Sequence, residues 1–139
     1  NLYSAVCDEL KEIGVEIADN IRILEYINNM DEFLNAADLV VSRSGALTVA
    51  EVTVCGKPAI FIPFPNATGN HQYFNARAVA EKGGAEVFEE KNMDNEQILA
   101  TMVEMMQNTE GMKDMAAKSR MCAPVDAVKI ICDNIEELK

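Results

Sequence analysis

The sequence predicts an α/β domain of the doubly wound, Rossmann-like class, an open parallel sheet wrapped by helices. Three observations point there. Short apolar runs alternate with segments of helical length, the connections between them are only a few residues long, and the run at 58–63 (PAIFIP) is continuously apolar. A continuous run of that kind suits a parallel strand covered on both faces. With 139 residues, 49% of them apolar, the chain is sized for a single domain with a proper core.

Each element has its own signal. Leu2, Val6, Leu10 and Ile13 are spaced as the apolar face of a helix that stops at Gly14. Residues 21–26 (IRILEY) read as a short strand, an acidic amphipathic segment covers 31–37, and 39–42 reads as a buried strand. Arg43, Ser44 and Gly45 turn the chain into a helix from about 46 to 55, which Gly56 ends. After the strand at 58–63, a Pro-Asn-Ala-Thr-Gly loop leads to a helix over about 70–82. Gly83 and Gly84 break that helix, and 85–88 is the last strand. Beyond Asp94 only helices are expected, over about 94–107, 111–121 and 124–138, the last with Pro124 in its first turn.

Charge narrows the function. The net charge is −11 with a pI near 4.4, which argues against nucleic acid as a partner and against contact of this segment with anionic lipid. Residues 41–85 hold four basic and two acidic groups, whereas both flanks are strongly acidic. An anionic ligand is therefore least repelled in the middle of the chain. The four cysteines (Cys7, Cys55, Cys122, Cys132) have no CxxC spacing and the single histidine has no partner for a metal site. They are read as reduced, mostly buried thiols of a cytoplasmic protein. No apolar run approaches a membrane span. Met102, Met105, Met106, Met112, Met115 and Met121 fall at helical spacing and are read as core or helix-packing surface.

Ligands of such sheets bind beyond the carboxyl ends of the strands, and two of those ends carry special residues. The first is Ser42-Arg43-Ser44-Gly45-Ala46-Leu47-Thr48. A small-residue turn there opens a helix whose first amides, at Ala46, Leu47 and Thr48, can meet a phosphate. Glu51, three residues after Thr48, could take both hydroxyls of a ribose. The same residues also allow a purely structural reading, with Thr48 and Glu51 as a capping box or Ser44 as the helix cap. The second end runs from Pro63 to Gln72. His71 and Gln72 open a helix with Asn75 one turn on, and paired amides suit a polyhydroxylated sugar. The competing reading makes Asn70 a cap and His71 a solvated first-turn residue. Neither end is a Walker A loop or a GxGxxG turn, and no nucleophile elbow is present.

The blocks 37–51 (ADLVVSRSGALTVAE), Gly56-Lys57-Pro58, Pro63-Phe64-Pro65 and His71-Gln72-x-x-Asn75-Ala76, taken in order, resemble the nucleotide-sugar half of the MurG family of N-acetylglucosaminyltransferases. The resemblance implies the C-terminal domain of a GT-B glycosyltransferase. Such an enzyme moves N-acetylglucosamine from UDP-N-acetylglucosamine to the 4-hydroxyl of a lipid-linked muramyl-pentapeptide acceptor with inversion. It uses no cofactor and no dedicated metal motif, and acts at the cytoplasmic face of the cell membrane. Carried over by position, the Ile27 backbone would bond uracil, with Tyr26 and Met30 lining that pocket. Leu47 and Thr48 amides, beside Gly45 and Ala46, would meet the diphosphate, with Arg43 and Ser44 supporting the loop. Glu51 would take the ribose, and Gln72 and Asn75 the sugar hydroxyls, with His71 beside them.

The family's glycine-rich loop, its first two strands in this domain and its acceptor domain have no counterpart in these residues. The general base is expected in that acceptor domain. The resemblance therefore implies a truncated domain, inactive alone, whose sheet consists of three parallel strands at 39–42, 58–62 and 85–88, with 21–26 displaced or paired differently. Two other readings are a sugar-nucleotide-binding subunit that needs a membrane partner and a related glycolipid glycosyltransferase.

Overall fold

The computed structural model describes residues 1–124 and 126–137, and the chain divides into two compact units, Asn1–Asp31 and Glu32–Lys139. In the first unit, helix α1 (Leu2–Glu12) starts where the Asn1 side chain accepts a hydrogen bond from the Ser4 amide at 2.9 Å. It ends at Gly14, whose φ of +70° lets the chain reverse. The expected strand at 21–26 is not formed. The Ile21 amide instead closes a turn onto the Ala18 carbonyl at 2.8 Å, and the segment joins no ladder among the described residues. A strand exists only through its neighbour, so β-branched composition alone does not make one.

Helix α2 (Met30–Ala36) comes next in the chain, and its Leu34 enters the core of the second unit. Strands β1 (Val40–Ser42), β2 (Ala59–Phe61) and β3 (Ala85–Val87) form a parallel sheet in the order β1-β2-β3, with Val41 opposite Ile60 and Ile60 opposite Glu86. This is the three-stranded sheet that the sequence predicts. Crossover helices α3 (Ala46–Cys55) and α4 (His71–Ala80) join the strands. Ala59, Phe61 and Ala85 pack with Val52 of α3 and with Ala76 and Val79 of α4. Ile60, pointing the opposite way, is also fully buried. The middle strand is thus covered on both faces, which is why its sequence does not alternate.

Helices α5 (Asn95–Gln107), α6 (Thr109–Arg120) and α7 (Ala127–Glu137) follow. The Asp94 and Asn108 side chains cap the first two, accepting from the amides of Glu96 and Gly111 at 2.9 Å each. That cap moves the start of α6 ahead of the expected Gly111. Pro124 lies three residues before α7, not in its first turn, and Asp126 between them has φ +59°. Residues 125 and 138 of the expected last helix lie outside the described residues. The methionines of α5, α6 and Met121 are half-buried or exposed, so they are helix-packing surface and not core; Cys132 is exposed and the other three thiols are half-buried.

The entry to β3 is fixed by close contact. A Cβ on Gly84 would sit 2.8 Å from Ser119 Cα and 2.9 Å from Val79 Cγ1, so α6 and α4 meet the sheet there only because no side chain intervenes. Gly84→Ala is expected to lower the unfolding free energy by about 1–3 kcal/mol through overpacking. Denaturant titration checks this, and an unchanged midpoint would show that the contact relaxes freely.

Candidate functional site

The site is built at the carboxyl ends of β1 and β2, where the chain leaves the sheet. From Ser42 it turns through Arg43, Ser44 and Gly45 into α3. Gly45 occupies the cap position at φ −60° and ψ 151°, and no side chain caps the helix. Both capping alternatives therefore fail. Thr48 lies inside the helix, and the Ser44 hydroxyl is committed elsewhere. The Gly45 backbone is one that any residue adopts, and a Cβ added there would meet only Thr48 Oγ1, at 3.8 Å. The fold does not demand a glycine at this point. Its bareness leaves open space over the first amides of α3, where the helix dipole favours an anion.

Ser44 joins this turn to α4. It is fully buried; its hydroxyl donates to the Gln72 carbonyl at 2.8 Å, and its own carbonyl accepts from Asn75 Nδ2 at 3.1 Å. Two blocks almost thirty residues apart in sequence are thereby clasped side by side. Gln72 is oriented in turn, because its Oε1 accepts from the Phe64 amide at 3.0 Å. With that oxygen engaged, its NH2 group is the part that a ligand could use. His71 is exposed, and its Nδ1 donates to the Thr68 carbonyl at 2.7 Å. That bond places the proton on Nδ1 and leaves Nε2 unengaged. Gly69 and Asn70, both with positive φ, shape the turn before it, and the Asn70 side chain caps nothing.

Arg43 closes the other flank. Its Nη1 donates to the carbonyls of Ile62 and Pro63 at 3.2 and 3.3 Å and pairs with the Glu90 carboxylate, while the guanidinium lies 5.7 Å from the centre of the Phe64 ring. The Ser42 hydroxyl donates to the Arg43 carbonyl at 3.0 Å. A cavity of about 350 Å³ opens here, lined by Val41, Ser42, Arg43, Ile62, Glu90 and Met93. Glu51 stands exposed on α3 and makes no hydrogen bond or ion pair among the described residues. Further along α4, Arg77 is held more firmly in its charged form by Glu81 and then by the Tyr73 hydroxyl.

Within the second unit, Ser44 in the 43–51 block is bonded to Gln72 and Asn75; Gly45, Ala46, Leu47, Thr48 and Glu51 lie on or beside α3, and His71 opens α4. Tyr26, Ile27 and Met30 belong to the first unit, where Tyr26 is 77% exposed, Met30 is exposed and Ile27 is half-buried. The sequence reading missed Glu90 and the Phe64 amide. The rule that functional groups gather after strand ends pointed toward Glu90, just past β3; a backbone donor such as that of Phe64 leaves no signal in residue identity. No group of metal-ligating side chains occurs among the described residues.

This geometry can be set beside known proteins. The family model of the glycosyltransferase family 28 C-terminal domain matches residues 3–131. The chain belongs to this family. It is 42% identical, over 98% of its length, to a UDP-N-acetylglucosamine–N-acetylmuramyl-(pentapeptide) pyrophosphoryl-undecaprenol N-acetylglucosamine transferase of Desulforamulus reducens. It is 34% identical over 99% of its length to the transferase of the same name from Bacillus subtilis. The chain spans 37% of each of those relatives. Among solved structures, MurG of Acinetobacter baumannii superposes with a TM-score of 0.80 at 31% identity, over 94% of this chain and 38% of that one. The parallel sheet with its helices is therefore the GT-B C-terminal architecture.

Within this family 28 domain the clasp at Ser44 has a measurable stability. Ser44→Ala removes the hydroxyl that bonds the part-buried Gln72 carbonyl and is expected to cost about 0.5–1.5 kcal/mol in unfolding free energy. A loss below about 0.5 kcal/mol by denaturant titration would show that the turn and α4 are held by packing alone.

Proposed function

We propose that this chain is the donor-binding part of an inverting glycosyltransferase that moves N-acetylglucosamine from UDP-N-acetylglucosamine to a lipid-linked muramyl-pentapeptide acceptor. The observation that carries the reading is the uncapped start of α3 under a bare glycine, clasped through Ser44 to a helix that presents Gln72 and Asn75. The names of the relatives support the same donor and acceptor.

In this reading the diphosphate lies against the amides of Ala46, Leu47 and Thr48. Those dipoles stabilise the negative charge that grows on UDP as the glycosidic bond breaks, a task that elsewhere falls to a metal ion. Glu51 accepts hydrogen bonds from the ribose hydroxyls. The Gln72 NH2 group and Asn75 Oδ1 are the free ends of their amides and hold the sugar, with His71 Nε2 beside them, so that the anomeric carbon faces the acceptor. The acceptor, the general base and the contact with the cytoplasmic face of the membrane belong to a further domain in this scheme. No helix among the described residues is long and apolar enough to cross a membrane.

Two substitutions in the full gene product test the assignment. Glu51→Ala is expected to weaken UDP binding by about 1–3 kcal/mol through lost charge-assisted bonds. Gln72→Ala is expected to weaken UDP-N-acetylglucosamine more than UDP. Calorimetry reads both. Undiminished UDP affinity removes Glu51 from the ribose, and equal losses for the two ligands remove Gln72 from the sugar.

A further inference from the structure

The donor site uses the turn at 43–48 and the start of α4, and the acidic side chain after β3 that pairs with Arg43 lies outside it. Glu90 follows β3 in a single 3-10 turn, Glu90–Asn92. Its carboxylate reaches back across the ends of all three strands to Arg43, the residue immediately before the buried Ser44. We propose that Glu90 is a positioning residue for the anion-binding turn. It fixes the Arg43 guanidinium, and through it the backbone that presents the amides of α3. This inference rests on the donor-binding reading given above.

Three features of the pair support a positional role over a purely stabilising one. The Arg43 and Glu90 side chains are 49% and 37% exposed, a setting in which an ion pair adds little to folding stability. The geometry, by contrast, is heavily determined. Arg43 Nη1 donates to the Ile62 and Pro63 carbonyls and lies against the Glu90 carboxylate as an ion pair, while the Phe64 ring lies alongside. The position along the chain also matters. Ser44 anchors the turn to α4 on one side, and Arg43 is its only side-chain anchor to β2 and the segment after β3 among the described residues. A turn held from both sides keeps its amides aimed at one point, and small displacements of such donors are costly for binding.

A second consequence separates position from charge. Glu90 is negative, and taken as a bare charge near a diphosphate it would oppose binding. As an anchor it favours binding. Glutamine keeps an acceptor for Arg43 Nη1 and removes the charge, whereas alanine removes both. If the carboxylate works only as a charge, both substitutions tighten binding alike; if it works only as an anchor, alanine weakens binding and glutamine leaves it nearly unchanged.

The experiment measures UDP-N-acetylglucosamine affinity by calorimetry for the full gene product and for its Glu90→Ala and Glu90→Gln forms, with thermal unfolding recorded for each. Glu90→Ala is expected to raise the Kd about three- to tenfold, because it loosens the aim of the α3 amides without removing a group that touches the ligand. Glu90→Gln is expected to stay within about threefold of the parent, and the unfolding midpoints of all three to stay close together. In an Arg43→Met background, Glu90→Ala is expected to add no further loss. Equal tightening by both variants overturns the proposal in favour of simple charge repulsion. Equal affinity for all three proteins, or a full additional loss in the Arg43→Met background, overturns it as well. Failure of the parent protein itself to bind the nucleotide sugar is a different result: it removes the donor reading, and this proposal with it.

Discussion

The buried hydroxyl of Ser44 is the interaction on which the site depends. Donating to the Gln72 carbonyl while its own carbonyl accepts from Asn75, it ties the turn after β1 to the first turn of α4. A serine fully removed from water would be costly without such partners. Here the cost is offset by geometry. Satisfying one hydroxyl and one carbonyl brings the open start of α3 and the polar face of α4 to the same edge of the sheet. Any capping role for Ser44 would have broken this link, because a hydroxyl turned toward its own helix could not reach Gln72.

The sheet supplies the rigid base for that edge. β2 lies between two parallel neighbours and is buried on both faces, so the carbonyls that follow it, at Ile62 and Pro63, are fixed points from which Arg43 can be held. Gly84 does comparable work at the opposite end of the strands by letting α6 and α4 close on the entry to β3. Packing at the amino ends and polar ties at the carboxyl ends thus divide the labour. The first sets the frame, and the second aims the groups that meet a ligand.

Much of this was legible in the residues. The three strands announced themselves as short apolar runs, and α3 and α4 were bounded by Gly45, Gly56 and the Gly83-Gly84 pair. The segment 21–26 was misread because composition describes a strand's side chains and not its partner. Helix α6 starts at Thr109 and not at Gly111, because the Asn108 side chain caps it by accepting from the Gly111 amide. Of the candidate site, the two strand-end blocks were visible as motifs. The way they join was not, since the Ser44 bond ends on a backbone carbonyl and the Gln72 bond begins at a backbone amide, and every residue carries both groups. Glu90 escaped notice among neighbouring acids, because only the fold sets it against Arg43.

The account reduces to a claim about where an anion sits. It is tested most directly by following the backbone amide resonances of the isotope-labelled full gene product as UDP is added. The largest and saturable shifts should fall on Ala46, Leu47 and Thr48, the amides that α3 leaves uncapped under Gly45. Saturable shifts confined to other segments, with these three amides unmoved, would contradict it.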